Sequence, residues 1–334
     1  MYSQPVTEPI CQRHQPLHHV LYLKTHKTGS TTMYSIMAEF CRSHDLLALL
    51  PKGNHINLFN TFRPTQLLLS KGIQKYDMVM NHHIFDPKIL DFLHNDTFLF
   101  TTIRDPLTQM ISSFNYFKKY ERHGYMVNIP EPEPLLKLVT DPEKYEGKGY
   151  VSFTNNRQSM DLGYDLKYGF DDVNYINKFV QGIDQRFNLV LISEFYDESL
   201  VLLKRHLGWS SSDILYFSKL RTGNTTANVS AEFRQKHKNH SKADSALYEH
   251  FLKVFRDKIS KEPGFSAEVA EFKVVLNHVR SFCDVRNSSR QMVIPAGEWV
   301  DQVSIIKPKC SWLKKDDTSF TAYLKNQQKI MFPG

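Results

Sequence analysis

Cysteine is scarce in this chain, and the few cysteines lie far apart. There are four among 334 residues, at Cys11, Cys41, Cys283 and Cys310. No two of them form a C-x-x-C pair, which argues against a zinc ribbon and against thioredoxin-like redox chemistry. Four cysteines allow three connectivities, and the sequence leaves open whether they are buried thiols or two disulfides.

Glycine and proline are also infrequent, at 14 and 15 residues. Their low content excludes a collagen-like or low-complexity chain, and the hydrophobic fraction of 41% excludes a largely disordered one. A chain of this length is able to bury a full core in one large domain or two moderate ones.

Long apolar runs are absent, since no run approaches the ~20 residues that a membrane-spanning helix needs. The N-terminal stretch MYSQPVTEPICQRHQP is polar, so it is neither a signal peptide nor an anchor. Five N-x-[ST] sequons nevertheless favour a secretory history, at Asn95, Asn224, Asn228, Asn239 and Asn287. The composition fits a lumenal catalytic portion whose membrane anchor lies outside this chain.

The charge balance is modestly basic. Lys and Arg number 42 against 35 Asp and Glu, which leaves a net charge of +7 and favours an anionic partner. That partner could be a nucleic acid, a phosphorylated cofactor or an acidic surface. The chain lacks any nucleic-acid recognition motif or basic-aromatic repeat, so we predict no nucleic-acid binding.

Apolar strands alternate with amphipathic helices along the chain. The pattern predicts strands at 19–23, 78–80, 98–103 and 189–192, and helices at 30–44, from Pro106, and at 172–182, 198–207 and 245–259. This alternation predicts an α/β fold with a central parallel sheet flanked by helices, followed by a helical C-terminal part. We predict an N-terminal tail (1–18), one domain (19–310) with a Pro- and Glu-rich insertion or lid (129–150), and a C-terminal tail (311–334).

The first predicted strand leads through a polar loop into the first helix, which is the arrangement of an anion-binding cradle. Gly29 allows close approach to the backbone, and Lys27 adds a mobile positive charge. Hydroxyl groups follow at Thr28, Ser30, Thr31 and Thr32. The alternative is a Ser/Thr-rich helix cap with solvated lysines. A Mg-dependent NTPase is disfavoured, because Lys27 precedes the glycine, whereas a Walker A lysine follows it.

A second anion site is predicted at the carboxyl end of strand 98–103. Arg104 stands there, followed by Asp105, Pro106 and, on the next helix, Ser112. Open α/β sheets bind ligands at this edge, and a guanidinium group suits a bidentate phosphate contact. The alternative is a surface Arg104–Asp105 pair with Ser112 exposed.

Together the two stretches resemble sulfotransferases that use 3′-phosphoadenosine 5′-phosphosulfate (PAPS), which have a P-loop-like sheet. The first loop resembles their 5′-phosphosulfate loop, and the second resembles their 3′-phosphate site. The chain is most similar to the galactose-3-O-sulfotransferase family of Golgi enzymes, from about residue 19 to 260. This similarity rests on KTHKTGSTT at 24–32, NHH at 81–83, FTNNRQ at 153–158 with DLG at 161–163, Trp209 with DILYF at 213–217, and DSALYEHF at 244–251. Many family members have alanine in place of Gly29.

The resemblance implies transfer of sulfate from PAPS to the 3-hydroxyl of a terminal β-galactose on a glycolipid or glycan. It also implies an enzyme of the Golgi lumen with membrane contact through an anchor, and it leaves open a homodimer. The alternatives are a sulfotransferase of the same fold acting on a different sugar hydroxyl, and a non-catalytic nucleotide- or glycan-binding relative.

Sulfate transfer requires a base on the acceptor hydroxyl and positive charge on the leaving phosphate. Lys27 fits the second role, with Lys24 assisting. The histidine pair of the family favours His83 as the base. His26 and His82 remain candidates for the base and for contacts with substrate. Further cations for the donor or acceptor are Arg157 and Arg221.

We predict no metal dependence, because sulfate transfer does not demand a metal. In addition, no cluster of Asp, Glu and His shows the spacing of metal ligands in the sequence.

Overall fold

The computed structural model describes residues 15–56, 62–121, 124–146, 152–165, 172–218, 229–285 and 290–332. Its strands are β1 (Val20–Leu23), β2 (Leu50–Pro51), β3 (Leu67–Leu68), β4 (Met78–Val79), β5 (Phe98–Ile103), β6 (Leu189–Ile192), β7 (Gln291–Ile294) and β8 (Val303–Ile306). Its helices are α1 (Ser30–Ser43), α2 (Pro106–Tyr116), α3 (Gly124–Val127), α4 (Pro134–Thr140), α5 (Pro142–Tyr145), α6 (Arg157–Asp161), α7 (Val173–Arg186), α8 (Tyr196–Leu207), α9 (Ala231–His240), α10 (Lys242–Ser260), α11 (Phe265–Asp284), α12 (Lys307–Lys314) and α13 (Asp317–Met331).

Four parallel strands form the central sheet, in the order β4-β1-β5-β6. Val20 of β1 lies opposite Met78 on one side and Phe98 on the other. Every residue of these strands is buried, as expected for a parallel sheet covered by helices on both faces. The predicted α/β fold is therefore confirmed.

Because the strands are parallel, all their carboxyl ends meet at one edge of the sheet, here called the carboxyl edge. The segments that leave this edge carry most of the predicted site residues: the loop 24–29 after β1, residues 80–83 after β4, and Arg104 after β5. The opposite, amino edge is formed by the residues that precede the strands, among them His19 and Asp77.

The segment predicted to be a C-terminal tail contains the packed helix α13, which corrects the expectation of a tail there. Phe320 and Leu324 of α13 are buried in the main core, and α13 packs against α1. Tyr34 of α1 shares a hydrogen bond with Thr321. The helix is stable because it buries an apolar face. This face is hard to recognise in the sequence because most residues of the segment are polar.

One pair of cysteines forms a disulfide, between Cys283 at the end of α11 and Cys310 in α12. Cys41 is a buried thiol, and its Sγ donates to the carbonyl of Leu46 at 3.2 Å. Cys11 lies outside the described residues.

The structure describes the predicted insertion up to residue 146, and this part contains the two short helices α4 and α5. Ile129 and Leu138 join a small hydrophobic cluster with Phe114, Phe117 and Phe153. This cluster fastens the segment to α2. Within the described ranges, no helix is both long and apolar enough to cross a membrane.

Candidate active site

The loop between β1 and α1 brings an uncapped helix start to the carboxyl edge. Gly29 occupies the N-cap position of α1 with φ of 78°, and no side chain within the described ranges caps the first amides of the helix. At this φ an alanine would be strained, and its Cβ would lie 3.1 Å from Cε2 of Tyr196. The arrangement therefore leaves backbone N–H groups at the start of α1 that could bind an anion.

The hydroxyl groups predicted for this loop do not share one environment. Thr28 Oγ1 lies 2.8 Å from Thr25 Oγ1 in a buried contact that supports the loop from within. Ser30 and Thr32 are buried at the start of α1, whereas Thr31 is half-buried.

Lys27 lies at the tip of the loop in a left-handed conformation, with φ of 62°. Its Nζ lies 3.9 Å from the centre of the Tyr116 ring, which is within cation–π range. A non-glycine residue in this conformation costs free energy, and such residues concentrate at functional sites. The side chain is half-buried beside the helix start.

Arg104 is placed against the same loop. Its Nη1 donates to the carbonyl of Lys27 at 3.2 Å, and its Nε donates to Thr108 Oγ1 at 2.9 Å. The side-chain amide of Gln158 holds the Arg104 backbone by two hydrogen bonds. Ser112 lies on the following helix and is buried. The structure thus brings the two predicted anion sites together.

Lys24 is buried and forms an ion pair with α13. Its Nζ lies 2.6 Å from Oδ2 of Asp317. This ion pair balances the charge of the Lys24 ammonium. Lys24 therefore has a structural partner in addition to its predicted role in binding the sulfate donor. Arg221 lies outside the described residues.

Two histidines are stacked at the carboxyl edge. The rings of His26 and His82 are 4.2 Å apart between centroids, with an interplanar angle of 22°. Nδ1 of His82 lies 2.8 Å from the carbonyl of Lys24, and because a carbonyl only accepts, this nitrogen carries the proton. Burial lowers the pKa of both rings well below 6.5, so both are neutral at pH 7.

A buried carboxylate orients His26. Asp161 Oδ2 accepts a hydrogen bond from the backbone N–H of His26 and lies 2.8 Å from its Nδ1. Arg157, which is fully buried, donates from Nη2 to Asp161 Oδ1 at 2.7 Å. Its Nε, which can only donate, lies 3.2 Å from His26 Nδ1, the nitrogen that also contacts Asp161. Burial raises the pKa of Asp161 to about 6.

Asp161 is a residue to which the sequence analysis assigned no role. Asp244, another such residue, accepts hydrogen bonds from the amides of Gln158 and Ser159 and so fixes the first turn of α6. Both carboxylates lie in segments that resemble the sulfotransferase family. That resemblance was the only sign of their importance, because an isolated aspartate in a sequence is usually a surface residue.

His83, favoured as the base from the sequence, lies in the interior. It is 1% exposed, and its Nδ1 lies 2.9 Å from the carbonyl of Asn81. Its Nε2 is buried and has no hydrogen-bond partner in the part of the chain that the structure describes. Burial lowers the pKa of His83 from 6.5 to about 4. To act as the base, His83 would need its Nε2 to reach the acceptor hydroxyl, but this atom is enclosed by the protein.

The low pKa of His83 predicts a pH-dependent contribution to stability. Because its folded-state pKa lies below the unfolded value, this contribution is complete above pH 6.5 and is lost as the pH falls towards 4. At pH 5 the loss is about 2 kcal/mol for this group. Urea unfolding at pH 7.5 and pH 5 is expected to show that His83→Gln removes about this much of the pH dependence.

The pH dependence of the unfolding free energy must be compared between the variant and the wild type. The raised pKa values of Asp161 and Asp244 make the folded state more stable as the pH falls, which opposes the effect of His83. His250→Gln, at a half-buried histidine, is the matched control and should follow the wild type. An unchanged pH dependence in His83→Gln would contradict the prediction.

Comparison with known proteins shows the family of the chain. A family model described as galactose-3-O-sulfotransferase matches residues 3–292. Galactose-3-O-sulfotransferase 2 of Mus musculus is 31% identical over 262 residues, covering 74% of this chain and 64% of the relative. The Homo sapiens galactose-3-O-sulfotransferase 2 is 29% identical (80% of this chain, 68% of the relative). Galactosylceramide sulfotransferase of Homo sapiens is 28% identical (80% and 64%).

The chain thus spans about two thirds of the length of these curated relatives, and only 64% of the mouse protein. The matched region includes the loop 24–29, Arg104 and the buried pair Arg157–Asp161, which meet at the carboxyl edge. By the extent of the match, this chain belongs to the galactose-3-O-sulfotransferase family.

Proposed function

We propose that this chain transfers a sulfuryl group from PAPS to the 3-hydroxyl of a terminal β-galactose on a glycolipid or glycan. The observation that carries the proposal is the meeting of Lys27, His26 and Arg104 around the uncapped start of α1. The names of the relatives support galactose as the acceptor. Glycolipid and glycan acceptors are both included, since both kinds of name occur among them.

The residues present fit a donor with two anionic ends. The amides at the start of α1, with Lys27, would hold the 5′-phosphosulfate, and Arg104 with Ser112 would hold the 3′-phosphate. Nη1 of Arg157 is buried and has no hydrogen-bond partner among the described residues, which is unusual for a guanidinium group. Arg157 is thus a further cationic group at this site. When bound, the donor supplies an activated sulfuryl group on a phosphate leaving group.

We infer that His26 is the general base. Nδ1 of His26 lies closer to the ionised Asp161 (2.8 Å) than to Nε of Arg157 (3.2 Å), and both groups cannot hydrogen-bond to it in one tautomer. We therefore assign the proton to Nδ1, so that Nε2 keeps the lone pair that accepts the proton of the sugar hydroxyl. His82 stacks on this ring and restricts its orientation. His83 is less suited, because its free nitrogen is enclosed.

The compartment is also part of the proposal. We infer the Golgi lumen from the family, and the Cys283–Cys310 disulfide supports an oxidising compartment. Two sequon asparagines in the described residues, Asn95 and Asn239, are exposed and therefore accessible to glycosylation. The membrane anchor and the homodimer stay predictions.

The direct test is mass-detected sulfate transfer from PAPS to lactose and to galactosylceramide. We expect sulfation at the 3-hydroxyl of galactose, assigned from the product by NMR. If the protein binds PAPS but sulfates neither acceptor, the acceptor proposal is wrong. If it does not bind 3′-phosphoadenosine 5′-phosphate, the donor proposal is wrong as well.

Arg104→Ala is expected to weaken binding of 3′-phosphoadenosine 5′-phosphate by about 10- to 100-fold, the contribution of a charge-assisted phosphate contact. Binding of adenosine 5′-phosphate, which lacks the 3′-phosphate, should change far less. Calorimetry with both nucleotides provides the measurement. Arg42→Ala is the control, because Arg42 pairs with Glu39 near the other end of α1. Equal losses for both nucleotides would refute the assignment.

A further inference from the structure

Two histidines and a carboxylate meet at the amino edge of the sheet, on the side opposite the candidate active site. His19 precedes β1, Asp77 precedes β4, and His94 lies in the turn before β5. The parallel strands bring these positions together because their amino ends share one edge. We call these three residues the amino-edge cluster.

The ligand atoms of this cluster have the separations of a metal site. Nε2 of His94 lies 3.3 Å, and Nε2 of His19 3.7 Å, from Oδ1 of Asp77. One ligand atom from each of the three residues lies within 4.8 Å of the other two. Two ligands of a tetrahedral zinc ion, each about 2.0–2.1 Å from the metal, are about 3.3–3.4 Å apart. The two measured separations are therefore close to those of a zinc site.

Neighbouring groups orient two of the three ligands. Nδ1 of His19 lies 2.7 Å from Oδ1 of Asp96, so this nitrogen donates to the carboxylate and Nε2 keeps its lone pair. The backbone N–H of Leu47 donates to Oδ2 of Asp77 at 2.7 Å, which turns Oδ1 towards the histidines. Carboxylate–histidine pairs of this kind accompany zinc ligands in proteins.

We propose that the amino-edge cluster binds Zn²⁺ through His19, Asp77 and His94, with water as the fourth ligand. Two imidazoles and one carboxylate form a donor set that zinc accepts. The imidazole rings of His19 and His94 are stacked, with centroids 3.9 Å apart and 9° between their planes, so their lone pairs run parallel. Binding turns the His94 ring, which is 35% exposed, out of this stack.

The bound ion would cross-link three segments of the sheet edge and stabilise the folded chain. It would take no part in sulfate transfer, because it lies at the edge opposite to His26 and Lys27. This proposal does not depend on the proposed function, and its test does not use enzymatic activity.

The test is calorimetric titration of Zn²⁺ into the full chain after removal of metals with a chelator. We expect one ion per chain and a rise in Tm on binding. Substituted Co²⁺ should show the visible absorption of tetrahedral coordination. His94→Gln removes a partly exposed ligand and should weaken binding at least 100-fold, while keeping the Tm of the metal-free wild type. Asp96→Asn changes only the hydrogen-bond partner of His19 Nδ1, and it should weaken binding about 10- to 100-fold.

The matched control is His250→Gln. His250 Nε2 lies 3.1 Å from Asp184 Oδ2 in an exposed pair outside the cluster, and its loss should leave zinc binding unchanged. The proposal is overturned if the wild type binds no stoichiometric zinc, since the cluster is then only a set of hydrogen bonds. It is also overturned if His94→Gln and Asp96→Asn both bind zinc as the wild type does.

Discussion

Replacing Lys27 with alanine is expected to lower kcat for sulfate transfer by about 10²- to 10³-fold, as the loss of a single group that stabilises charge in a transition state does. The leaving phosphate gains negative charge as its bond to sulfur breaks, and Lys27 is the cation at the tip of the loop 24–29, where we propose that the phosphosulfate binds. Its backbone is left-handed, and its ammonium group lies over the ring of Tyr116 beside the start of α1. The effect should appear in kcat rather than in KM, because the charge develops only in the transition state.

Lys118→Ala provides the matched control. Lys118 Nζ pairs with the exposed Glu131 and lies 5.4 Å from the centre of the Phe114 ring. Like Lys27, this lysine lies over an aromatic ring of α2. Its loss should leave kcat within about twofold of the wild type, as expected for a surface ion pair. Single-turnover measurements at saturating donor separate chemistry from binding. A Lys27→Ala variant that keeps full kcat but binds the donor weakly would show that Lys27 acts only in binding.

The elements of the sheet were predictable because each leaves a local pattern. Buried parallel strands are continuous apolar runs, and 98–103 and 189–192 agree with β5 and β6 at both ends. Pro106 indicated the start of α2 in the sequence, since the proline ring fits the first turn of a helix. The placing of Lys27 and Arg104 at one edge followed from the alternation of strands and helices.

The environment of the histidines could not be predicted, because it depends on residues far away in the chain. Asp161 is 135 residues from His26 and becomes a partner only when α6 packs against the loop. The sequence therefore ranked the histidines by resemblance, without the enclosure of Nε2 that distinguishes His83 from His26. The amino-edge cluster is similar, since 19, 77 and 94 have no local spacing and only the parallel sheet brings them together.

Replacing His26 with glutamine is expected to lower kcat by about 10²- to 10⁴-fold, the usual contribution of a general base. Glutamine keeps a polar side chain of similar length but offers no basic nitrogen. Asp161→Asn should also lower kcat, because an amide no longer fixes the proton on Nδ1 and the ring can then present N–H to the sugar. Donor binding, measured by calorimetry with 3′-phosphoadenosine 5′-phosphate, should change little in His26→Gln.

His82→Gln and His83→Gln separate the three candidates within one experiment. His82→Gln removes the stacked neighbour and should cost less kcat than His26→Gln, because His26 keeps its contact with Asp161. His83→Gln should act mainly on stability, since its ring is enclosed and makes its Nδ1 contact with the carbonyl of Asn81. If instead His83→Gln loses the most kcat while its Tm and donor binding match the wild type, then His83 is the base and His26 only orients the loop. The three-way comparison thus assigns the proton transfer to one ring, because only the base combines a large loss of kcat with unchanged folding and unchanged donor affinity.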